Sequence, residues 1–323
     1  MTWFDGFERQ TLTVAGLPVC FRRTADWAGQ AHLPVLVLLH GFPQTHVMWH
    51  RVAQRLRGRY RLVMPDLRGY GDSSHAVGDA LHLHYSKRAM AQEVVGLLDA
   101  LGVGDFFLCG HDRGGRVAHR LALDHAARVK KLCIIDIAPT LDMYSGHWGK
   151  TPEVAGPVAD PYFAFAQAYY HWFHLTQPAP LPEVMIGGNP KAYLHAKLGG
   201  WGSQGLGYIE PEALGEYERA FCNPTRNDLG WSAAIHSAAE DYRASAGIDL
   251  QHDREGREHG DKIACDTLVL WGDRGVVNRM FKPVELWQAQ CAGRVSGQVM
   301  PSGHFIPEEL PDATSEALAQ WMV

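Results

Sequence analysis

Four short, mostly apolar runs constrain this chain most: Val35–Leu39, Tyr60–Met64, Phe106–Cys109 and Leu132–Ile137. Their apolar residues are nearly continuous, the pattern of strands covered on both faces. Helical periodicity falls between them, near Met48–Leu56, from about Ser86 to Leu101 and over Val117–Ala127. In the second of these, Met90, Val94, Leu97, Leu98 and Leu101 share one stripe. Strands alternating with helices at this spacing predict a mostly parallel sheet joined by right-handed crossovers. A hairpin is expected to open the chain over Thr11–Arg22, turning at Gly16-Leu17-Pro18.

The rhythm lapses after Pro139. From about Met143 to Tyr242 the chain is rich in aromatics and prolines and reads as an inserted, mainly helical cap. The charged stretch Asp249–Lys262 reads as a solvated connector. Strands then return at Thr267–Trp271 and Gly297–Met300, with helices near Pro283–Gln290 and from about Pro311. The expected division is a core of residues 1–142 and 246–323 with a cap of 143–245.

Composition narrows the function classes. Lys and Arg number 30 against 35 Asp and Glu, a net charge of −5, which leaves no electrostatic footprint for nucleic acid or an anionic membrane. Hydrophobic residues at 46% are ample for a large core. The six cysteines are scattered without a Cys-x-x-Cys pair, which predicts reduced thiols and a cytoplasmic protein. Neither a secretory leader in the first ten residues nor a membrane-spanning run is expected.

The chemistry concentrates at Gly110-His111-Asp112-Arg113-Gly114, directly after one strand and before one helix. A sharp strand-to-helix turn needs small residues on both sides of its apex, and the apex side chain then projects outward. Here that side chain is Asp112, in the arrangement of the nucleophile elbow of an α/β-hydrolase. A carboxylate nucleophile displaces a leaving group from sp³ carbon and leaves an alkyl ester on the enzyme. Hydrolysis of that ester needs a base and an oxyanion hole. The hole is expected from the backbone N–H groups of Phe42 and Arg113, with His40 supporting the loop. The base is expected late in the chain, and the order Asp…Asp…His singles out His304 among eighteen histidines. Two residues compete for the triad acid: Asp136, at the end of a strand, is preferred over Asp273, which follows a later one. No metal-ligand spacing is present, and neither a metal nor another cofactor is expected.

Arg113 and Arg116 stand three apart at the start of the helix and share a face beside Asp112. Two guanidiniums there could grip a carboxylate, a reading that competes with simple pairing to structural acids such as Asp66 or Asp105.

Together these residues resemble the haloacetate dehalogenases of the α/β-hydrolase superfamily over nearly the whole chain. The resemblance rests on His40-Gly41-Phe42-Pro43-Gln44-Thr45, on Asp66-Leu67-Arg68-Gly69-Tyr70-Gly71-Asp72-Ser73 and on His111-Asp112-Arg113-Gly114-Gly115-Arg116. It continues through Asp136-Ile137-Ala138-Pro139-Thr140, Tyr170-His171-Trp172, the proline-rich Gln177–Pro182, Tyr217 with Phe221, and Ser302-Gly303-His304-Phe305. It implies that His171, Trp172 and Tyr217 donate hydrogen bonds to the departing halide, and it supports Asp136 as the acid. It also implies a small 2-haloacid substrate, fluoroacetate or chloroacetate, converted to glycolate. A homodimer is an expectation carried by the resemblance alone. Epoxide hydrolases share the Asp nucleophile and the His-Gly-Phe-Pro loop and are the alternative, with Tyr169, Tyr170 or Tyr217 protonating the oxygen. Those enzymes usually carry Trp where this chain has Arg113. A receptor that binds a small acid without turnover fits an intact nucleophile, base and acid poorly. A Ser-type esterase lacks its nucleophile at the elbow.

Overall fold

The computed structural model describes residues 3–146 and 160–323. Eight strands form one sheet in the order β1-β2-β4-β3-β5-β6-β7-β8. They are β1 (Phe7–Val14), β2 (Leu17–Thr24), β3 (Val35–Leu39), β4 (Arg61–Pro65), β5 (Phe106–His111), β6 (Val129–Ile135), β7 (Thr267–Gly272) and β8 (Val295–Met300). β2 is antiparallel to both of its neighbours, and the pairs from β4 to β8 are parallel. Every residue of β3 is buried, as its unbroken apolar run requires, whereas the edge strand β1 is buried only at its ends and alternates partly buried and exposed positions between them. The hairpin turns at Ala15-Gly16, one step before the expected place, with φ of +49° and +84°. A two-residue turn of this hand needs positive φ at both central positions, and Gly16 adopts it freely.

Three helices pack beside the first half of the sheet: α1 (His50–Leu56), α2 (Lys87–Ala100) and α3 (Arg113–Asp124). Between β6 and β7 the helices of the described chain are α4 (Thr140–Ser145), α5 (Pro161–Ala168), α6 (Tyr170–Leu175), α7 (Leu181–Gly187), α8 (Pro190–Leu198), α9 (Pro211–Phe221), α10 (Ala233–Ala246) and α11 (Ile248–His259), joined by turns and irregular loops. The expected cap, 143–245, spans α5 to α9 and nearly all of α10, and its residues 147–159 lie outside the described ones. The last helices are α12 (Val276–Met280), α13 (Pro283–Gln288), α14 (Ile306–Glu309) and α15 (Pro311–Trp321).

One expectation is overturned. Asp249–Lys262 is no solvated connector, because its first eleven residues belong to α11 and Asp249, Leu250, Asp253 and Gly256 are buried. Asp249 and Asp253 point inward because they have partners there, while Arg254, Glu255, Glu258, Asp261 and Lys262 stay exposed. Asp249 accepts the Lys87 N–H at 2.8 Å and faces the Lys87 ammonium at 3.3 Å, while Asp253 accepts the Leu141 N–H. Charge predicts exposure only where no partner waits inside.

Helix α3 begins at Arg113, four residues before its apolar stripe. Gly114 and Gly115 look poorly helical by propensity, yet packing demands them. A Cβ on Gly114 would be driven into the carbonyl oxygens of Leu39 and His40, and one on Gly110 into that of Gly114. Gly114→Ala is therefore expected to cost about 2–3 kcal/mol, as overpacking against rigid backbone does. Chemical denaturation would show this, and an unchanged midpoint would mean that the elbow is not tightly packed.

Candidate active site

The strands end at one edge of the sheet, where open α/β folds gather their functional groups. Asp112 follows β5 with φ +48° and ψ −114°, and Asp136 follows β6 with φ also +48°. Left-handed backbone at a non-glycine residue costs energy and persists only where its surroundings enforce it. Both of these acids are candidates for chemistry. Asp112 Oδ2 accepts the Phe42 N–H at 3.0 Å. That approach depends on Gly41, whose Cβ would lie 2.6 Å from the Cβ of Asp112. Arg113 N–H belongs to the first turn of α3, where helical N–H groups lack intrahelical partners. His40 supports the loop: its Nε2 accepts the Leu67 N–H at 2.9 Å, so its Nδ1 carries the proton and donates to Gly41 O at 3.0 Å.

His304 lies in the loop after β8, 2.6 Å through Nδ1 from Asp136 Oδ2. The other Asp136 oxygen accepts the Gly272 N–H at 3.0 Å. With Nδ1 so engaged, Nε2 is left to face the reaction. Asp273, the competing acid, is half exposed and meets only Arg274, at 3.5 Å. Burial acts to raise the Asp112 carboxyl, but His304, His111, Arg113 and Arg116 outweigh it and hold the group below the usual carboxylate range. Burial acts to lower His304, and the bond to Asp136 outweighs that and holds the imidazole above its ordinary value.

The two arginines differ. Both are buried. Arg113 spends its fork on Asp241 in α10, with Nε to Oδ2 at 2.8 Å and Nη2 to Oδ1 at 2.6 Å, and adds Ser245 Oγ at 2.6 Å. The acid is neither Asp66 nor Asp105. Asp241 also binds the Lys87 ammonium, which faces Asp249, so two cations and two anions balance inside the protein. Arg116 has no carboxylate within salt-bridge reach among the described residues. Its Nη1 donates to Thr140 Oγ1 at 2.6 Å, and its guanidinium lies 5.1 Å from the Trp172 ring centre. Arg113 Nη1 and Arg116 Nε are buried without a hydrogen-bond partner among the described residues. Two such donors are costly unless something supplies an acceptor.

Asp112, Asp136 and His304 share one cavity with Tyr169, His171, Trp172, Trp201 and Tyr242. Arg113 and Arg116 flank the cavity, Arg113 packed 4.1 Å from the Tyr242 ring centre and Arg116 5.1 Å from that of Trp172. Space for the centre of a water-sized molecule is only ≈ 20 Å³, a fit for a ligand of few atoms. A far broader hollow, ≈ 620 Å³, lies at the opposite ends of the strands, beside Val35, Phe106 and Lys131. None of these side chains reaches it.

His171 stacks on Phe42 with centroids 6.2 Å apart, and its Nδ1 is buried without a partner. Burial first, then the charge of Lys197, hold this imidazole well below its ordinary value, so it is a neutral N–H donor. Trp172 stacks on Tyr144 at 4.7 Å. Tyr217 is not among the residues that line the cavity; its hydroxyl, on α9, is buried near Glu308 and Gln44 with no hydrogen-bond partner among the described residues. The tyrosines that do line the cavity are Tyr169 and Tyr242, while Tyr170 is exposed at 46%. Tyr242, Asp241 and Trp201 escape a reading of the sequence. Trp201 has one faint signal, an aromatic residue inside Gly199-Gly200-Trp201-Gly202.

The comparisons agree with this geometry. The sequence profile of the alpha/beta hydrolase fold family matches residues 34–310. The chain is 39% identical over 322 residues to a fluoroacetate dehalogenase from Burkholderia sp, covering 99% of this chain and 95% of that one. A soluble epoxide hydrolase from Corynebacterium sp. (strain C12) is more distant, 27% identical with 85% of each chain covered. An alpha/beta hydrolase from Nostoc sp PCC 7120 superposes with a TM-score of 0.86 at 43% identity, over 99% of both chains. With its nucleophile elbow and paired arginines, this chain belongs to the α/β-hydrolase family and, within it, to the haloacetate dehalogenases.

Proposed function

We propose that this protein hydrolyses the carbon–halogen bond of a small 2-haloacid, fluoroacetate or chloroacetate, to give glycolate and halide. The observation that carries the reading is the pair of buried, unpartnered N–H groups on Arg113 and Arg116 beside an ionised Asp112. A small carboxylate satisfies both, because it offers two acceptor oxygens in one plane and the negative charge that Arg116 lacks a partner for. The reading also rests on the identity to the Burkholderia fluoroacetate dehalogenase.

In the proposed mechanism the arginines hold the substrate carboxylate, with Arg116 supplying the charge that no internal acid cancels. An Asp112 oxygen attacks the halogen-bearing carbon in line, forms a C–O bond and expels the halide with the bonding pair. His171, Trp172 and Tyr242 receive the halide as neutral donors; Tyr242 takes the place expected for Tyr217. His304, oriented by Asp136, then takes a proton from water as the water adds to the Asp112 carbonyl. The N–H groups of Phe42 and Arg113 steady the oxyanion, and collapse releases glycolate and restores the carboxylate. Each turnover consumes one water and liberates one halide and one proton.

The roles of Asp112 and His304 separate in a trapping experiment. His304→Asn retains the nucleophile and loses the base. It is expected to release about one fluoride or chloride per active site and to hold an adduct of about 58 Da on Asp112, read by peptide mass spectrometry. Continued turnover, or an adduct on another residue, would refute the assignment. The pH dependence in the wild-type enzyme has a definite sign. Hydrolysis needs neutral His304, whose pKa is raised, so its rate falls as pH drops through a midpoint above the usual imidazole value. Asp136, the larger cause of that elevation, is still present in the ester. Alkylation needs ionised Asp112, whose pKa is depressed, and stays level over the same range. The ester should accumulate in mildly acidic buffer.

A cytoplasmic homodimer completes the proposal. The six cysteines are free thiols. None of the helices among the described residues is long and apolar enough to cross a membrane. Phe163, Phe173, Val184 and Met185, on α5 to α7, expose 52%, 52%, 63% and 62% of their surface. Clustered exposed apolar side chains mark interaction surfaces. Sedimentation should give a dimer that Met185→Glu with Val184→Glu dissociates; a monomeric wild-type protein would contradict it.

A further inference from the structure

Lys197, in the last turn of α8, is a buried cation that the mechanism above does not use. Only 4% of the residue is exposed, so its ammonium has far less access to water than lysine heads ordinarily do. No carboxylate lies within salt-bridge reach among the described residues. Its neighbours are aromatic: the ring centres of Tyr170 in α6, Trp201 and Tyr193 lie 3.7, 5.3 and 5.4 Å from Nζ. Rings lend a cation partial stabilisation, yet an uncompensated buried charge remains costly. Burial pushes this amine down to about 8.

Its position relative to the chemistry is specific. Trp201 contacts Lys197 on one side, and on the other packs against His171 at 4.8 Å and His304 at 5.2 Å. Among charged groups, Lys197 has the largest influence on His171, ahead of His304 and Arg113. It is absent from the leading influences on Asp112, which are His304, His111, Arg113 and Arg116. The field of Lys197 therefore falls most directly on His171, at the halide end of the proposed reaction.

Carbon–halogen substitution moves one negative charge along that axis. The C–O bond forms as the C–X bond breaks, Asp112 becomes an uncharged ester, and the electron pair leaves with the halide. A cation near the nucleophile holds charge back, whereas one near the leaving group favours the transition state over the ground state. Arg113 and Arg116 stand at the first end. We propose that Lys197 stands at the second as a positioning residue, its ammonium drawing charge onto the departing halide while keeping His171 a neutral N–H donor. This inference rests on the dehalogenase reading.

Among the described residues, the titratable groups that face Lys197 are His171, His174 and Tyr170 from α6 and Tyr193 from its own helix; the nearest acid on α7, Glu183, acts on His174 and is tied to Arg243 and His236. Deprotonating Lys197 should therefore slow alkylation above pH about 8. The test is single-turnover kinetics of fluoride release and ester decay in wild type, Lys197→Met and Lys197→Arg. Lys197→Met should slow fluoride release about 10- to 100-fold and leave ester decay within about twofold. Lys197→Arg should restore release and abolish the alkaline fall, because a guanidinium does not titrate there. In ¹⁵N-labelled protein, Lys197→Met should also raise the pKa of His171. Equal slowing of both steps, or an unmoved His171 titration, would make Lys197 a mere clamp between α6 and α8 and overturn the inference. If Lys197→Met fails to fold, an alkaline fall that persists in Lys197→Arg overturns it equally. Wild-type protein that releases no halide defeats the dehalogenase reading itself, a result distinct from any of these.

Discussion

The close approach of two backbone segments at Asp112 governs the rest of this structure. The turn after β5 packs so tightly against the turn after β3 that Gly41, Gly110 and Gly114 each meet a neighbour where a Cβ would stand. That contact forces Asp112 to φ +48° and brings the Phe42 N–H within 3.0 Å of its carboxylate. One packing event thus lifts the nucleophile out of the sheet, supplies an oxyanion donor and starts α3 beside it. The strain at Asp112 is sustained by a core in which all of β3 is buried. A second left-handed residue, Asp136, sets the acid of the neighbouring strand at His304 in the same way.

The charge distribution around that point is as telling as its shape. Arg113, Lys87, Asp241 and Asp249 cancel one another inside the protein and tie α10 and α11 to the elbow. Buried ion groups of this kind hold elements in register more than they add stability. Among the described residues nothing cancels Arg116 or Lys197, one beside Trp172 and the other beside Trp201. A small anion bound between them and turned over there would account for both. His171 lies on the Lys197 side and is kept neutral, which suits a donor to halide better than an imidazolium that would hold the product.

The core was legible because its signals are local. Val35–Leu39 and Phe106–Cys109 read as strands from composition alone, and the glycines of the elbow mark its turn. His304 could be picked from eighteen histidines by chain order, since order is preserved when the fold is known. The helices between β6 and β7 were legible only as a class. Tyr217 and Tyr242 are both tyrosines on helices in that region, and nothing in a single sequence says which helix reaches the cavity. That depends on α10 being pulled over Arg113 by Asp241, a contact 128 residues apart in the chain. Asp249–Lys262 misled for the opposite reason: Asp249 and Asp253 look as solvated as their exposed neighbours until Lys87 and Leu141 are seen to meet them. Long-range ion pairs carry no periodicity, and the cap is built on them.

The most direct measurement is halide release from fluoroacetate and chloroacetate in parallel, with glycolate followed in the same samples and neutral styrene oxide as the comparison. The account predicts halide and glycolate in equal amounts from at least one acid, and no diol from the epoxide. Silence on both acids with turnover of styrene oxide would contradict it, and would mean that the cavity tyrosines Tyr169 and Tyr242 serve an epoxide oxygen instead.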